Sequence, residues 1–264
     1  MTMQRIMTVD LEYDFETQGV ENLKLVPRLL DFFGRHDIHA TFFVLGELAE
    51  QYPGMVKAIA KKHEIASHSY SHRILGRLSR EGLEQEIIRS KQAISALGIP
   101  CSGFRSPYFM VHPHLGRLLA KHKFRYDSSI STFFPGRYAH VTAPLRPYRA
   151  SPDSLAKKGN GIMELPIPNL TKFGMPPSAL SYYRLLYPLS KSFRIPYLFY
   201  LHPCEFLETP IPGNISFLVR KMYGKNQGRK AWQIFTGLIA RADCRWVSCR
   251  EYLEGYQNKT SDYT

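Results

Sequence analysis

Residues 6–12 read Ile-Met-Thr-Val-Asp-Leu-Glu, a short apolar run that leads into two acidic side chains near the N-terminus. Similar β-branched or aromatic runs occur at residues 6–10, 40–45, 64–68, 102–105, 124–127, 162–167, 197–202 and 245–248. Stretches with helical spacing separate them, at residues 23–36, 47–62, 80–97, 113–122 and 229–242. This alternation predicts an α/β fold with a mostly parallel sheet. We expect a single distorted (β/α) barrel with seven strands, and the alternative is an open doubly wound sheet.

The size and composition of the chain are those of an ordinary globular protein. It has 264 residues, of which 44% are hydrophobic and 22% are charged, and this is enough to bury a sizeable core. No repeat, low-complexity tract or linker divides the sequence, so we predict a single domain over residues 1–264. The four cysteines have no paired or metal-binding spacing, which indicates free thiols in a reducing compartment.

Basic side chains are in excess, and the excess is uneven along the chain. Lys and Arg number 35 against 22 Asp and Glu, which gives a formal net charge of +13. Residues 1–100 hold 12 basic and 13 acidic side chains, whereas residues 101–264 hold 23 and 9. A basic region indicates affinity for phosphate, nucleic acid or an anionic membrane surface. No nucleic-acid-binding motif accompanies the charge, so we do not expect nucleic acid as a partner.

Two stretches bear on location. The N-terminus runs directly into an acidic strand-like segment, whereas a secretion signal needs cations, an apolar stretch and a cleavage site. The longest apolar stretch, residues 178–201, contains Arg184, Lys191 and Arg194, and we do not expect it to span a membrane. The sequence therefore predicts a cytoplasmic protein, and peripheral contact with the inner face of the membrane stays open.

Candidate chemical side chains stand where the predicted strands end. These side chains are Asp10, His68, Arg105, Asp127 and His202. In a barrel the carboxyl ends of the strands meet at one face, and that face carries the active site. We therefore expect these side chains to lie close together.

One subset of these residues has the composition of a metal site. His68 and His72 have the i, i+4 spacing that can direct two imidazoles at one ion, although a chain with ten histidines also gives such a pair by chance. Asp10 and Glu12 lie two residues apart and share one face of an extended strand. Two histidines and one carboxylate form the open three-ligand set of a catalytic zinc-type site, and the second carboxylate stays available as a base.

These residues resemble the motifs of the NodB-type polysaccharide deacetylases, carbohydrate esterase family four. Residues 8–12, Thr-Val-Asp-Leu-Glu, resemble the first motif of that family, Thr-Phe-Asp-Asp-Gly. Residues 68–72, His-Ser-Tyr-Ser-His, match the second motif, and residues 105–108, Arg-Ser-Pro-Tyr, match the third. Residues 201–203, Leu-His-Pro, resemble the last motif, and residues 40–44 are similar to the second strand. The resemblance covers most of the chain and implies the distorted barrel.

A subgroup associated with bacterial exopolysaccharide and exosortase gene clusters is more similar still. Residues 126–129, 182–186 and 199–205 are similar to segments of that subgroup. The chain also departs from the family pattern, because the consecutive Asp-Asp and the Gly of the first motif are absent and no Trp lies near Asp127. Cys204 stands where the subgroup usually has Trp. A changed substrate pocket is expected from these departures.

The resemblance implies a divalent metal ion as cofactor, with Zn²⁺ as the first choice and Co²⁺ or Mn²⁺ as alternatives. It implies Glu12, His68 and His72 as the ligands, and Asp14 stays open as the carboxylate if the chain bulges. Asp10 is then the base that activates water.

The resemblance also implies roles around that base. Arg105 is expected to pair with it and aim it, and the backbone N–H of Tyr108 is expected to stabilise the oxyanion. His202 is expected to protonate the departing amine. Tyr108, Asp127 and Arg184 are the predicted substrate contacts.

The predicted function is hydrolysis of N-acetyl or O-acetyl groups on a sugar of a bacterial polysaccharide or its lipid-linked precursor. Phosphate-bearing intermediates or an anionic leaflet are the expected partners of the basic residues. Two alternatives remain. One is a barrel that binds a glycan without hydrolysing it, and the other is a hydrolase of another C–N bond, such as a formamide.

Overall fold

The computed structural model describes residues 3–15, 17–132, 140, 142–169, 177–209 and 216–261. Its strands are β1 (Gln4–Leu11), β2 (Ala40–Val44), β3 (Glu64–Ser67), β4 (Gly103–Phe104), β5 (Tyr126–Asp127), β6 (Tyr148–Ser151), β7 (Ser154–Glu164), β8 (Leu198–Leu201) and β9 (Arg245–Val247). Its helices are α1 (Val26–Arg35), α2 (Gly46–Gln51), α3 (Pro53–Ala60), α4 (Arg80–Ser95), α5 (Leu115–Lys121), α6 (Leu180–Leu185), α7 (Phe217–Gly224), α8 (Arg229–Ala240) and α9 (Cys249–Ser261).

The described strands form one curled sheet. Strands β7, β5, β4, β3, β2, β1 and β8 lie side by side in that order, each parallel to its neighbours. Strand β6 pairs antiparallel with β7, and β9 pairs with the first residues of β1. Isolated bridges from Ser131 to Ile167 and from Ala179 to Tyr200 extend the pairing towards the gap between β7 and β8. The predicted distorted (β/α) barrel is confirmed.

Strand β1 shows how alternation separates the outside of the barrel from its interior. Met7, Val9 and Leu11 belong to the apolar cluster that packs beneath the surrounding helices. Ile6 belongs instead to a second cluster, which includes side chains of β2, β5 and β8. Because successive side chains of a strand point to opposite faces, Asp10 shares the interior face with Ile6. The same alternation that builds the core therefore aims Asp10 into the barrel.

Several elements differ from the sequence-based prediction. The single helix expected at residues 47–62 is two helices, α2 and α3, which meet at Tyr52, because Pro53 lacks the N–H that a continuous helix needs and begins a new helix. Strand β7 begins at Ser154 rather than near residue 162. The prediction missed its first part because that part carries exposed polar residues and has no apolar run. Strand β6 and helix α9 were not predicted.

Residues 182–185 belong to helix α6, which packs on the barrel. Helix α6 buries Leu180 and Tyr183 against the barrel core. Within the part of the chain that the structure describes, no helix is both long enough and apolar enough to cross a membrane.

Candidate functional site

A cleft of about 600 Å³ opens at the carboxyl ends of the parallel strands. Most of the side chains predicted from the strand ends and motifs line it: Asp10, Glu12, His68, His72, Tyr108, Arg184 and His202. They come from β1 and the residue that follows it, from the segments that follow β3, β4 and β8, and from α6. The barrel thus brings together residues that lie up to about two hundred positions apart in the sequence.

The predicted ligand set converges at the floor of this cleft. Oε2 of Glu12 lies 3.2 Å from Nε2 of His68 and 2.6 Å from Nε2 of His72. One ligand atom from each of these residues lies within 4.8 Å of the others, and among the described residues this is the group that could hold a metal ion. The three side chains are largely buried, so the cluster has little contact with solvent.

The hydrogen bonds of the two histidines fit metal binding. Nδ1 of His68 lies 2.9 Å from the carbonyl oxygen of Arg105, which makes Nδ1 the protonated nitrogen and leaves the lone pair of Nε2 facing the cluster. Nε2 of His72 is buried and makes no well-directed hydrogen bond, despite its closeness to Glu12. A buried nitrogen without a directed partner is costly, and a metal ion would satisfy it.

The electrostatics of the cluster favour an ionised carboxylate. Burial acts to raise the pKa of Glu12, but the charges of His72 and His202 hold that pKa well below its usual value. Burial lowers the pKa of His72, but the Glu12 carboxylate outweighs burial and raises it overall. Glu12 therefore carries a negative charge, as the predicted carboxylate ligand requires.

Asp14, the alternative carboxylate, is engaged elsewhere. Its oxygens accept hydrogen bonds from the backbone N–H groups of Glu21 at 2.8 Å and Asn22 at 2.9 Å. The Asn22 side chain donates a further bond to it at 2.6 Å. Asp14 therefore shapes the loop after β1, and the geometry favours Glu12 as the ligand.

The turn that carries the two histidines is held by Glu86 of α4, which the sequence reading missed. Oε2 of Glu86 accepts bonds from the backbone N–H groups of Tyr70 at 3.0 Å and Ser71 at 2.9 Å, and Oε1 accepts one from the Ser71 hydroxyl at 2.6 Å. The turn needs this support because His72 has a φ of 60°, a left-handed conformation that is unfavourable for residues other than glycine.

We expect Glu86→Ala to weaken metal binding about 10- to 100-fold, because the turn that orients the two histidines is then no longer held in one conformation. The substitution also leaves one buried and two part-buried donors without their acceptor, so the free energy of unfolding should fall by about 2–4 kcal/mol. Zn²⁺ titration against a competing chelator measures the first effect, and urea unfolding measures the second. Glu84→Ala on the same helix is the matched control, since Glu84 pairs with Lys121 at the surface. Equal zinc affinity in both variants would contradict the positioning role.

Asp10 and Arg105 form a buried ion pair beside the ligand cluster. Nη1 of Arg105 donates to Oδ1 of Asp10 at 2.6 Å and to the Thr8 hydroxyl at 3.0 Å. The other guanidinium nitrogens donate to the Ser128 carbonyl at 3.1 Å and to its hydroxyl at 2.9 Å. Arg105 is 0% exposed and Asp10 1% exposed. The carboxylate is thus fixed in direction, with its second oxygen on the cleft side.

The predicted substrate contact by Asp127 is wrong. Asp127 is fully buried and absent from the cleft wall, because its side chain turns back to accept bonds from the backbone N–H and the hydroxyl of Ser129. The Ser129 hydroxyl in turn accepts a bond from the backbone N–H of Ser106 at 2.8 Å. Asp127 therefore supports the segment that carries Arg105 and lies beneath the site.

Glu164 lies directly opposite Asp127 on β7, and both carboxyl groups are fully buried. Burial and the negative charge of Asp127 raise the pKa of Glu164 well above its usual value. Burial also raises the pKa of Asp127, although the bonds from Ser129 favour its charged form. We infer that Glu164 holds the proton of this pair.

This assignment predicts the pH dependence of stability. A raised pKa in the folded state means that Glu164 stabilises the fold fully below its unfolded pKa, and that this contribution is lost as pH rises towards the folded pKa. The free energy of unfolding should therefore fall with rising pH above about 4.5. Glu164→Gln should reduce that fall, and urea unfolding between pH 5 and 8 measures it. An unchanged slope would show that Glu164 is ionised in the fold.

His202 reaches the same cleft from β8. Its Nε2 lies 3.8 Å from Oδ2 of Asp10 and 3.7 Å from Oε1 of Glu12. Burial lowers the pKa of His202, but the charge of Glu12 and the nearby Glu205 and Asp10 carboxylates raise it to about 9. The imidazole therefore carries a proton near neutral pH and can serve as an acid.

Tyr108 lines the cleft in a strained conformation, with a φ of 56° directly after Pro107. Its ring lies 4.7 Å from the His72 ring. Arg184 also lines the cleft, although its guanidinium already bonds to Glu205 and to two backbone carbonyls. Substrate contact by Tyr108 and Arg184, and the oxyanion role of Tyr108, stay predictions.

The fold of this chain is that of known deacetylases. A solved peptidoglycan deacetylase from Bacillus subtilis superposes with a TM-score of 0.56 at 14% identity, covering 99% of this chain and 95% of that one. At this identity the likeness shows the fold alone.

Sequence comparison finds a family match over the first part of the chain. Residues 7–126 match the family model of polysaccharide deacetylases, a span that includes the first three motifs but not His202. The chain is 37% identical to a peptidoglycan-N-acetylglucosamine deacetylase of Bacillus cereus over 89 residues. This aligned stretch covers 33% of this chain and 32% of that protein. Over 74 residues the chain is 32% identical to a chitooligosaccharide deacetylase of Sinorhizobium fredii, which is 28% and 34%. The chain thus spans about a third of the length of these curated relatives. Residues 7–126 therefore match the polysaccharide deacetylase family, and the exopolysaccharide-associated subgroup stays a prediction.

Proposed function

We propose that this protein is a metal-dependent hydrolase that removes N-acetyl or O-acetyl groups from a sugar of a bacterial polysaccharide or its lipid-linked precursor. One observation carries the proposal: a three-residue cluster of candidate ligands, the Asp10 carboxylate held by Arg105, and the His202 imidazole meet in a single cleft. The match of residues 7–126 to the polysaccharide deacetylase family and the deacetylases among its relatives support the same reaction.

Glu12, His68 and His72 would hold the metal ion. When bound, a divalent ion supplies a Lewis acid and lowers the pKa of water to about 7 in zinc enzymes. A nitrogen and carboxylate donor set suits Zn²⁺ first, with Co²⁺ and Mn²⁺ as alternatives. The anionic state of Glu12 and the lone pair on the His68 Nε2 support this assignment.

The remaining side chains would move protons. Asp10 takes a proton from the attacking water, and Arg105 keeps its carboxylate aimed at the cleft. His202 gives a proton from Nε2 to the departing nitrogen, because an amine leaves poorly as its anion. The backbone N–H of Tyr108 stabilises the charge that develops on the acetyl oxygen.

The walls of the cleft suit a sugar. Phe15, Tyr182 and Tyr223 line the cleft, and the ring centroids of Phe15 and Tyr223 lie 4.5 Å apart. Aromatic rings of this kind pack against the apolar faces of pyranose rings while polar groups bind the hydroxyls.

A neighbouring cavity supports a phosphate-bearing substrate. It measures about 630 Å³, and Gln227 lines both this cavity and the cleft. Arg220, Arg229 and Lys230 line it, with Glu208 as its acidic residue. This concentration of cations suits the phosphate groups of a lipid-linked sugar.

We further propose that the protein works in the cytoplasm at the inner face of the membrane. Phe217 of α7 is 70% exposed, and the exposed Lys221 follows on the same helix. An exposed aromatic side chain among cations is typical of a peripheral membrane contact.

Acetate release tests the function. The protein, loaded with Zn²⁺, Co²⁺ or Mn²⁺, is assayed on N-acetylated and O-acetylated sugars that are free, nucleotide-linked or lipid-linked. We expect acetate from at least one class, and formate release would indicate the alternative hydrolase. Sugar binding without any hydrolysis, at one metal ion per chain, would overturn the catalytic proposal in favour of a glycan-binding barrel.

A further inference from the structure

The carboxylate of Glu205 lies behind His202, on the side away from the ligand cluster. His202 is the N-cap of the 3-10 turn at Pro203–Phe206, and Glu205 follows it three positions later within that turn. Oε1 of Glu205 accepts a hydrogen bond from the backbone N–H of His202 at 3.1 Å and lies 3.5 Å from Nδ1 of its ring. Glu205 thus contacts both the backbone and the imidazole of the same residue.

Glu205 is itself fixed by Arg184 of α6. The Arg184 Nε donates to Oε2 of Glu205 at 2.8 Å, and both side chains are about 95% buried or more. Nη1 of Arg184 donates to the backbone carbonyls of Tyr223 at 3.1 Å and Lys225 at 3.0 Å. A buried carboxylate with this many fixed neighbours has little freedom to move.

The groups around the ring divide between its two nitrogens. Asp10 and Glu12 face Nε2, whereas Glu205 faces Nδ1. The Tyr200 ring lies edge-on to the imidazole, 5.6 Å between centroids. A carboxylate behind Nδ1 keeps a proton on that nitrogen and points Nε2 into the cleft.

We propose that Glu205, held by Arg184, is the positioning residue that aims Nε2 of His202 at the leaving nitrogen. In the step it serves, the C–N bond breaks, its electron pair stays on nitrogen, and the proton moves from Nε2 to that nitrogen. Glu205 itself neither gives nor takes a proton. This inference rests on the proposed deacetylation.

The dependence of the rate on the leaving group tests the proposal. An amine must be protonated to leave, whereas 4-nitrophenolate leaves without a proton. Each protein sample is therefore assayed on both an N-acetylglucosamine oligomer and 4-nitrophenyl acetate, and the rate on the ester is the reference for the rate on the amide. We expect Glu205→Gln to lower kcat on the oligomer about 100-fold, with KM within about twofold and 4-nitrophenyl acetate hydrolysis within about threefold. Glu205→Asp, which keeps the charge beside Arg184, should recover part of the loss. Glu84→Gln is the surface control.

A double-substitution cycle makes the result decisive. If Glu205 acts through His202, Glu205→Gln adds no further loss on the oligomer to that of His202→Ala. Because Glu205→Gln leaves Arg184 without its buried partner, the Arg184→Met/Glu205→Gln double variant removes both charges and keeps the test valid if the single variant unfolds. Equal losses on both substrates in the folded variants, or additive losses in the cycle, would overturn the proposal. A wild-type protein that hydrolyses neither substrate would instead contradict the proposed function.

Discussion

Asp10→Asn is expected to lower kcat about 1,000-fold or more while leaving the zinc content at one ion per chain, because Asn has a similar shape but cannot accept the proton of water. The ligand atoms come from Glu12, His68 and His72, so removing the carboxylate of Asp10 leaves the metal site intact. Acetate release at saturating substrate and elemental analysis of the same sample measure the two effects. Turnover near the wild-type rate would exclude Asp10 as the base.

Folding must be separated from chemistry in that experiment. Arg105 is 0% exposed, so Asp10→Asn leaves a buried cation without its partner and should cost about 3–5 kcal/mol of stability. The Asp10→Asn/Arg105→Met double variant removes both charges and should recover much of that stability. Its activity should stay lost. Recovery of activity together with stability would show that the pair has a structural role only.

The sequence predicted the barrel and the residues at its mouth because both follow from local periodicity. Alternation along β1 places Asp10 on the interior face, and strand ends in a barrel meet at one rim. His68 and His72 come together as their i, i+4 spacing predicts, although they lie on a turn rather than on a helix. What brings their rings together is the left-handed backbone, which spacing alone does not reveal.

Two features could not be predicted from the sequence: how deeply a side chain at a strand end is buried, and which residues from distant parts of the chain support the site. Asp127 does end a strand, but the position of a strand end does not tell whether its side chain faces the cleft or the layer beneath it. Glu86 lies on α4, and only the packing of that helix brings it beneath the turn at Tyr70 and Ser71. For Glu205 a local signal did exist, since a carboxylate three residues after a strand-end histidine can reach back to it.

The first motif of this chain lacks the consecutive Asp-Asp of the family that it resembles, so the residue that supplies the metal carboxylate has to be tested. Replacing that residue should have the second large effect. Glu12→Gln should weaken Zn²⁺ binding at least about 100-fold, because it removes the anionic ligand that lies against both histidines. Turnover should fall with it at limiting zinc. Titration against a chromogenic chelator measures the affinity directly, independently of any assay of activity.

Asp14→Asn is the matched control, because it removes the same charge two residues further along the loop. Its oxygens bond to the backbone of Glu21 and Asn22, so zinc affinity should stay within about twofold while stability falls by about 1 kcal/mol. His68→Ala should lose zinc and turnover together and marks the full effect of removing a ligand. If Asp14→Asn loses zinc and Glu12→Gln keeps it, the loop rearranges on metal binding and Asp14 is the ligand. If both variants keep zinc, the carboxylate belongs to neither residue and the three-ligand site is wrong.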